Sequence, residues 1–378
     1  FRTQEDILGI GYKNKEEFIR TKKRALEQNL DPLGQMDYNL VDLEKYFSLE
    51  RRGIMARGRF HHHDAERSVS IMTSRGCPYT CVFCSIHIHA GRKYRVFSPE
   101  AVVHQIETLV KEFGVKHIHF EDDNLTLDHN RFMAIMDGVL EKGLKFSWDT
   151  PNGVHANTLS YEMMVKMKET GCTYLIVAVE SGEQRVIDDI IKKKPMKIEN
   201  VMKAFKVGKE IGLDLQAFYI IGFPGETMEN IQTTLDFAYE GLKKYGVVPH
   251  VATARADKGT ELYETALNNG NLVENHNINN PQGVHIDRFV RHMISTDEFT
   301  PDDLEKLNLI YHKKYIREVG MRSILFSITN PIVSLRNIGY LFHFITKMKL
   351  TLRESIYMLF FTRLFYHNAM KKEKEFFS

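Results

Sequence analysis

From residue 68 to residue 253 the chain alternates short apolar segments with longer amphipathic ones, about six times in succession. The apolar segments are 68–74, 115–122, 145–150, 173–180, 213–222 and 247–253. Each has the length of a strand, and 173–180 (TYLIVAVE) is apolar almost throughout, as a strand covered on both faces must be. Between them, 98–114, 128–143, 160–171, 198–212 and 227–246 carry a helical period. The first shows both of its ends: Ser98 ahead of Pro99 predicts an N-cap and a first turn, and Gly114 predicts a stop. Strands separated by such helices pair in parallel. The expected fold class is α/β, a partial or full (β/α) TIM-like barrel with its functional residues at the C-terminal ends of the strands and a mostly helical C-terminal extension. A doubly wound open sheet is the competing arrangement.

The flanks are less regular. Residues 7–12 read as a short strand and turn, 16–31 as a polar segment with room for a short helix, 39–48 as a helical turn or two, and 57–67 as a charged loop. The histidine triplet 61–63 in that loop is a metal-binding candidate, read first as flexible charged chain. Residues 254–299 show little periodicity and are expected to be loops; 301–320 is expected to be a helix. The tail 321–369 is apolar and aromatic but broken by Asn330, Pro331 and Arg336, so it lacks the roughly 20 uninterrupted apolar residues of a spanning helix.

Three of the four cysteines, Cys77, Cys81 and Cys84, fall within eight residues in SRGCPYTCVFCS. A disulfide framework would spread them along the chain, so the expected context is reducing and cytoplasmic. Three thiolates converging from one short loop can hold a [4Fe–4S] cluster and leave one iron open to another ligand. Zinc is the rival; it usually takes four ligands in paired groups, which here would need His87 or His89. Cys172, beside the apolar segment 173–180, reads as a small buried residue.

The C-x3-C-x2-C spacing, with aromatic Phe83 before the third cysteine and repeated β–α units after it, resembles the radical SAM superfamily. The resemblance implies a [4Fe–4S] cluster on Cys77, Cys81 and Cys84, S-adenosylmethionine chelated to the open iron, and an electron donor such as flavodoxin or ferredoxin. It implies reductive cleavage to a 5′-deoxyadenosyl radical, with the protein orienting the cofactor and shielding the radical. Residue by residue, Glu121, Asp122 and Asp123 of HFEDDN stand where the family holds the methionine amino group, without its commoner Gly-Gly-Glu form. Glu180 and Ser181 of VAVESG would bind ribose or methionine; a strand-end carboxylate can accept two hydroxyl hydrogen bonds. In YIIGFPGET, Ile221, Gly222 and Gly225 would bring the backbone to adenine; the segment lacks the lysine and spacing of a phosphate loop. Arg255 would face the cofactor carboxylate.

Residues 6–47 resemble the end of a cobalamin-binding domain and its linker: a GI-x-Y hairpin, an LD-x-x-P linker with its proline displaced to Pro32, and a YF helix. This places the chain with the cobalamin-dependent subclass, its cobalamin domain missing or truncated. The expected division is 1–25, remnant of a cobalamin-type domain; 26–67, linker; 68–255, radical SAM core; and 256–378, a C-terminal loop and helical region. A start at Phe1, with no initiator methionine or signal-peptide pattern, reads as part of a longer or processed protein. Two chemistries follow from the resemblance: cobalamin-dependent C-methylation or cyclisation, and hydrogen abstraction with rearrangement without cobalamin.

For a small organic or lipid-like substrate the candidate contacts are His87, His89, Arg92, Lys93 and Tyr94, just past the cysteines, which suit an anionic or aromatic group or are simply a solvated basic loop. Trp148 and His155 flank the third strand and would line the barrel, unless Trp148 is core. The tail carries Arg322, Arg336, Lys347, Lys349, Arg353 and Arg363 against the single acid Glu354 up to residue 369. That pattern suits peripheral contact with an anionic membrane, or helices covering the open side of the barrel. A net charge of only +2 and the lack of a second cysteine cluster argue against a tRNA-modifying enzyme and nucleic-acid binding generally. A non-catalytic iron–sulfur protein is the remaining rival.

Overall fold

A computed structural model describes residues 3–33, 36–51, 67–273 and 294–329. The histidine triplet 61–63 and the tail beyond 329, with the membrane contact expected of it, lie outside the described residues.

The N-terminal segment forms an antiparallel hairpin of β1 (Gly11–Asn14) and β2 (Glu17–Arg20), paired Gly11 to Arg20 and Asn14 to Glu17. The short helix given room in 16–31 does not form among the described residues: its first part is β2, and 21–28 has no helical turn. Phe18 and Ile19 in that stretch are strand formers, and Tyr12 and Lys13 give them partners. Helix α1 (Leu43–Arg51) follows, with Phe47 fully buried beneath the Arg67 guanidinium, 4.5 Å from its ring.

The core opens with β3 (Ser68–Ile71). A small antiparallel pair, β4 (Ser74–Arg75) and β5 (Arg95–Val96), encloses the cysteine loop and the one-turn helix α2 (Ile86–His89). Then come α3 (Pro99–Lys111), β6 (His117–Phe120), α4 (His129–Glu141), β7 (Ser147–Asp149), α5 (Tyr161–Glu169), β8 (Cys172–Glu180), α6 (Ile198–Ile211), β9 (Leu215–Ile221), α7 (Met228–Tyr245) and β10 (Val248–Thr253). Side-chain caps start these helices where the sequence puts them: Ser98, Asp128, Ser160 and Thr227 each accept a backbone N–H of the first turn.

Six strands form one parallel sheet in the order β3-β6-β7-β8-β9-β10. Spatial order equals chain order, so every crossover adds its strand on the same side. A doubly wound sheet reverses at a switch point; this one does not, and it is a partial barrel with β3 and β10 as its edges. Alternation along the strands sorts the two faces. Phe120 and Trp148 pack together edge to face at 5.3 Å, with Phe132 of α4 beyond them, in the layer between sheet and helices. His117, His119, Ser147 and Asp149 hydrogen-bond to one another on the inner face.

Two helices complete the described chain. Helix α8 (Glu261–Asn268), capped by Thr260, lies in the segment expected to be loop; at eight residues it is too short to show a period. Helix α9 (Pro301–Thr329) starts where expected and runs further. No helix among the described residues is long and apolar enough to cross a membrane.

Candidate active site at the mouth of the partial barrel

The cysteine loop leaves β4 at the C-terminal end of the first core strand. Gly76 turns it with φ +84, where a Cβ would lie 2.5 Å from the Lys93 carbonyl oxygen, so the turn needs glycine. The loop is then pinned from several sides: Gly76 N–H donates to Asp123 Oδ2 (2.9 Å), Val82 N–H to the Ile191 carbonyl (3.0 Å), and the Val82 carbonyl accepts from Leu262 N–H at the start of α8 (2.9 Å). Cys77, Cys81 and Cys84 are half-buried free thiols. Burial pushes all three thiols up, Cys81 to about 12, against the downward pull of the Lys193 ammonium. Free thiols here hold their protons, and bound metal would displace those protons outright.

Asp122 and Asp123 turn out to brace this loop. Asp122 is buried and accepts from Thr73 N–H (3.1 Å), Thr73 Oγ1–H (2.8 Å) and the Ser74 hydroxyl. Arg131 adds a hydrogen bond from Nη2 to the Thr73 carbonyl (2.8 Å). The Glu121 carboxylate, near Ser70 Oγ at 3.4 Å, faces a cleft of about 740 Å³ with Arg75, Asp123 and Asn152 in its lining.

Phe83 meets Phe223 at 5.9 Å between ring centroids, so the GFPG turn lies beside the cysteine loop. In that turn Gly222 and Gly225 have φ +91 and +93, Ile221 is fully buried, and Glu226 Oε2 accepts from the N–H groups of Gly222 (2.8 Å) and Phe223 (2.7 Å). Burial lifts the Glu226 carboxyl to about 7, against the lowering effect of those two hydrogen bonds. Glu180 ends β8 in the left-handed region (φ 71) and is paired with Lys193, whose Nζ lies 2.6 Å from Glu180 Oε1 and 2.6 Å from the Ala178 carbonyl oxygen. Ser181 is wholly buried: its Oγ lies 2.9 Å from Thr234 Oγ1 and accepts from Glu183 N–H (3.1 Å), which makes it a turn brace.

His155 is buried, stacks on Tyr79 of the cysteine loop at 4.5 Å, and is held down to about 3 by burial and by Lys193. Its imidazole is therefore neutral. Tyr94 is half-buried, its phenol pushed up by burial. Arg92 is exposed and donates to the Tyr79 carbonyl (2.9 Å); Lys93 and His89 are exposed and His87 half-buried. Two expected site residues are engaged in contacts of their own. Trp148 is fully buried in the sheet–helix layer and donates from Nε1 to the Thr170 carbonyl (3.0 Å). Arg255 is exposed and donates from Nε to Asp257 (3.0 Å).

Lys193 escaped the sequence reading because it sits inside the run Lys192–Lys193–Lys194, which looks like a solvated charge cluster. Only the burial alternation along the run, exposed–buried–exposed, separates it from its neighbours. His117, His119 and Asp149 were missed for a related reason, since they lie on two different strands. Among the described residues theirs is the only set of three or more ligand atoms lying within 4.8 Å of one another. The three thiols are not among such sets, though each lies near enough to the others for their charges to interact.

A profile of the radical SAM superfamily matches residues 71–238, from the end of β3 into α7. The chain belongs to the radical SAM superfamily. The chain is 32% identical, over 273 residues, to an uncharacterized methyltransferase of Pyrococcus horikoshii, a match covering 72% of this chain and 54% of that protein. It is also 32% identical over 222 residues to the cytidylyl-2-hydroxyethylphosphonate methyltransferase of Streptomyces wedmorensis, covering 57% of this chain and 40% of that one. The chain thus spans about half the length of these curated relatives. The structure of the cobalamin-dependent S-adenosylmethionine radical enzyme OxsB, with aqua-cobalamin and S-adenosylmethionine bound, superposes with a TM-score of 0.61 over 99% of this chain and 61% of that one. At 16% identity, that likeness is one of fold.

Proposed function

We propose that this chain binds S-adenosylmethionine over a [4Fe–4S] cluster held by Cys77, Cys81 and Cys84 and cleaves it reductively, in the service of methyl transfer to a small organic substrate. The observation that carries the reading is the convergence of three half-buried thiols at the C-terminal mouth of a singly wound partial barrel, beside the GFPG turn and the end of β8. When bound, such a cluster supplies the electron that breaks a C–S bond of S-adenosylmethionine to give methionine and a 5′-deoxyadenosyl radical.

The donor set fits that cluster. Three thiolates from one short loop leave one iron open. Buried thiolates need nearby positive charge, and Lys193 contributes some of it. The chain's own residues then do three jobs. Phe83 and Phe223 wall the loop off from water on one side. The Gly222–Gly225 turn, held by Glu226, lets backbone approach a flat base. Glu180 and Lys193, already oriented by each other, would offer a carboxylate to ribose hydroxyls and an ammonium to the methionine carboxylate.

Methyl transfer is supported by the names of two relatives at 32% identity, and a cobalamin relay by the fold likeness to OxsB. No residue of this chain is assigned to cobalamin. Anaerobically reconstituted protein, given methyl-labelled S-adenosylmethionine, hydroxocobalamin as the methyl acceptor once reduced, and a low-potential reductant, tests the reading. It predicts 5′-deoxyadenosine together with S-adenosylhomocysteine as products. Deoxyadenosine alone, unchanged by cobalamin, would replace methyl transfer with hydrogen abstraction and rearrangement.

A further inference from the structure

We propose that His117, His119 and Asp149 form a binding site for a divalent transition-metal ion of the zinc type on the inner wall of the barrel, separate from the cysteine loop. Strands β6 and β7 are neighbours in register, His117 opposite Ser147 and His119 opposite Asp149. Two histidines two positions apart on one strand point to the same face, so the register alone brings both imidazoles to one carboxylate. The ligand atoms lie within 4.8 Å of one another: His119 Nδ1 is 2.7 Å from Asp149 Oδ1, and His117 Nε2 is 3.6 Å from Asp149 Oδ2. The imidazole rings are 4.6 Å apart and inclined at 62°, so their nitrogens approach the carboxylate from different directions. Metal–ligand bonds of about 2.0–2.2 Å put tetrahedral ligands a little over 3 Å apart. The two observed spacings bracket that value.

The hydrogen bonds behind the triad set the tautomer that ligation needs. Ser147 Oγ lies 3.2 Å from the Lys116 carbonyl oxygen, which can only accept, so the hydroxyl hydrogen goes there. Ser147 Oγ therefore accepts from His117 Nδ1–H at 2.7 Å. His117 Nε2 then lies 3.6 Å from Asp149 Oδ2, and a divalent ion bound between them would displace the proton they share. A ligating histidine with its other nitrogen donating to a fixed acceptor is the usual outer-sphere arrangement of such sites.

Access is one-sided. The side chains of His117 and Asp149 are 0% and 5% exposed, while His119 is 16% exposed. An ion held here has three protein ligands and an open position toward the barrel interior, the pattern of a reactive rather than a structural site. Two neutral imidazoles and one carboxylate leave a divalent ion with net positive charge. The open position suits an anionic oxygen of a substrate, such as a carboxylate or phosphonate, which the ion would orient and polarise.

The test is a titration with Zn²⁺, and with Co²⁺ as a spectroscopic probe, of the full chain carrying Cys77→Ser, Cys81→Ser and Cys84→Ser to remove thiol competition. The expected result is one ion per chain. Adding Ser147→Ala should weaken binding about 10- to 100-fold, and His119→Asn or Asp149→Asn should weaken it further. Crystals of the unmutated chain grown with Zn²⁺, measured at the zinc absorption edge, provide a second reading if the serine variant does not fold. An anomalous peak among the three side chains supports the site. Binding unchanged by the Asn variants, no binding, or peaks only elsewhere would show the triad to be a hydrogen-bonded core network.

Discussion

Lys193 and Glu226 carry the most weight at the scale of single residues, and each makes a prediction. Lys193 and Glu180 are 6% exposed each and 2.6 Å apart, so neither charge has water to fall back on. Removing one partner strands the other. Lys193→Met should cost about 3–5 kcal/mol of stability, measured by denaturant unfolding, and Lys193→Met with Glu180→Gln should recover most of it. A loss in the double variant equal to the sum of the two single losses would mean the pair is not coupled. Glu226 is fully buried with its carboxyl raised to about 7 from 4.5, so the folded chain binds a proton there more tightly than the unfolded chain does. The stabilising contribution of that proton is complete below pH 4.5 and is lost as pH rises through about 7. The stability of the wild type relative to Glu226→Gln should therefore fall by about 3 kcal/mol between pH 4.5 and pH 8. A pH-independent difference would show that the two backbone N–H donors keep Glu226 ionised throughout.

At the scale of elements, the N-terminal segment divides between hairpin and linker. No side chain described before Leu30 is buried, whereas Leu30 is 1% exposed and its segment is tied to the core. Asn29 bridges to Val96, Arg95 Nη1 donates to the Glu27 carbonyl, and Ser98 N–H donates to Asp31. Deleting residues 3–25 should shift the melting temperature by no more than about 2 °C, while Leu30→Ala should cost about 2–5 kcal/mol. The reverse order, read by calorimetry, would make the hairpin part of the core. The same contrast explains what the sequence revealed of the elements. The β–α alternation was legible because each core helix is long enough to repeat its period and four of the five carry a capping side chain, as Ser98 and Thr227 show. β2 and α8 were not, since four and eight residues hold too little periodicity to separate strand, helix and loop. Strand order came only with the structure, because pairing of β3 with β6 or β8 with β9 is a long-range choice that no local pattern records.

For the whole molecule, the motifs marked a neighbourhood, and the structure shows which side chains in it hold one another. Cys77, Cys81 and Cys84 stand out by spacing alone, as three thiols in one short loop. Asp122 and Ser181 looked the same in sequence as ligand-binding residues, yet burial and hydrogen bonds commit both to holding loops in place. Lys193 and the His117–His119–Asp149 triad become visible only when separate strands and turns are brought together by the barrel. Everything proposed for the mouth of this barrel rests on the three cysteines presenting one open iron to S-adenosylmethionine. The most direct measurement is anaerobic reconstitution followed by iron analysis and single-turnover assay with S-adenosylmethionine and dithionite, on the wild type and on Cys77→Ala, Cys81→Ala and Cys84→Ala. The account predicts about four iron atoms per wild-type chain, release of 5′-deoxyadenosine, and loss of both in each alanine variant. Zinc in place of iron, no cleavage of S-adenosylmethionine with any reductant, or iron retained when all three cysteines are replaced would contradict it.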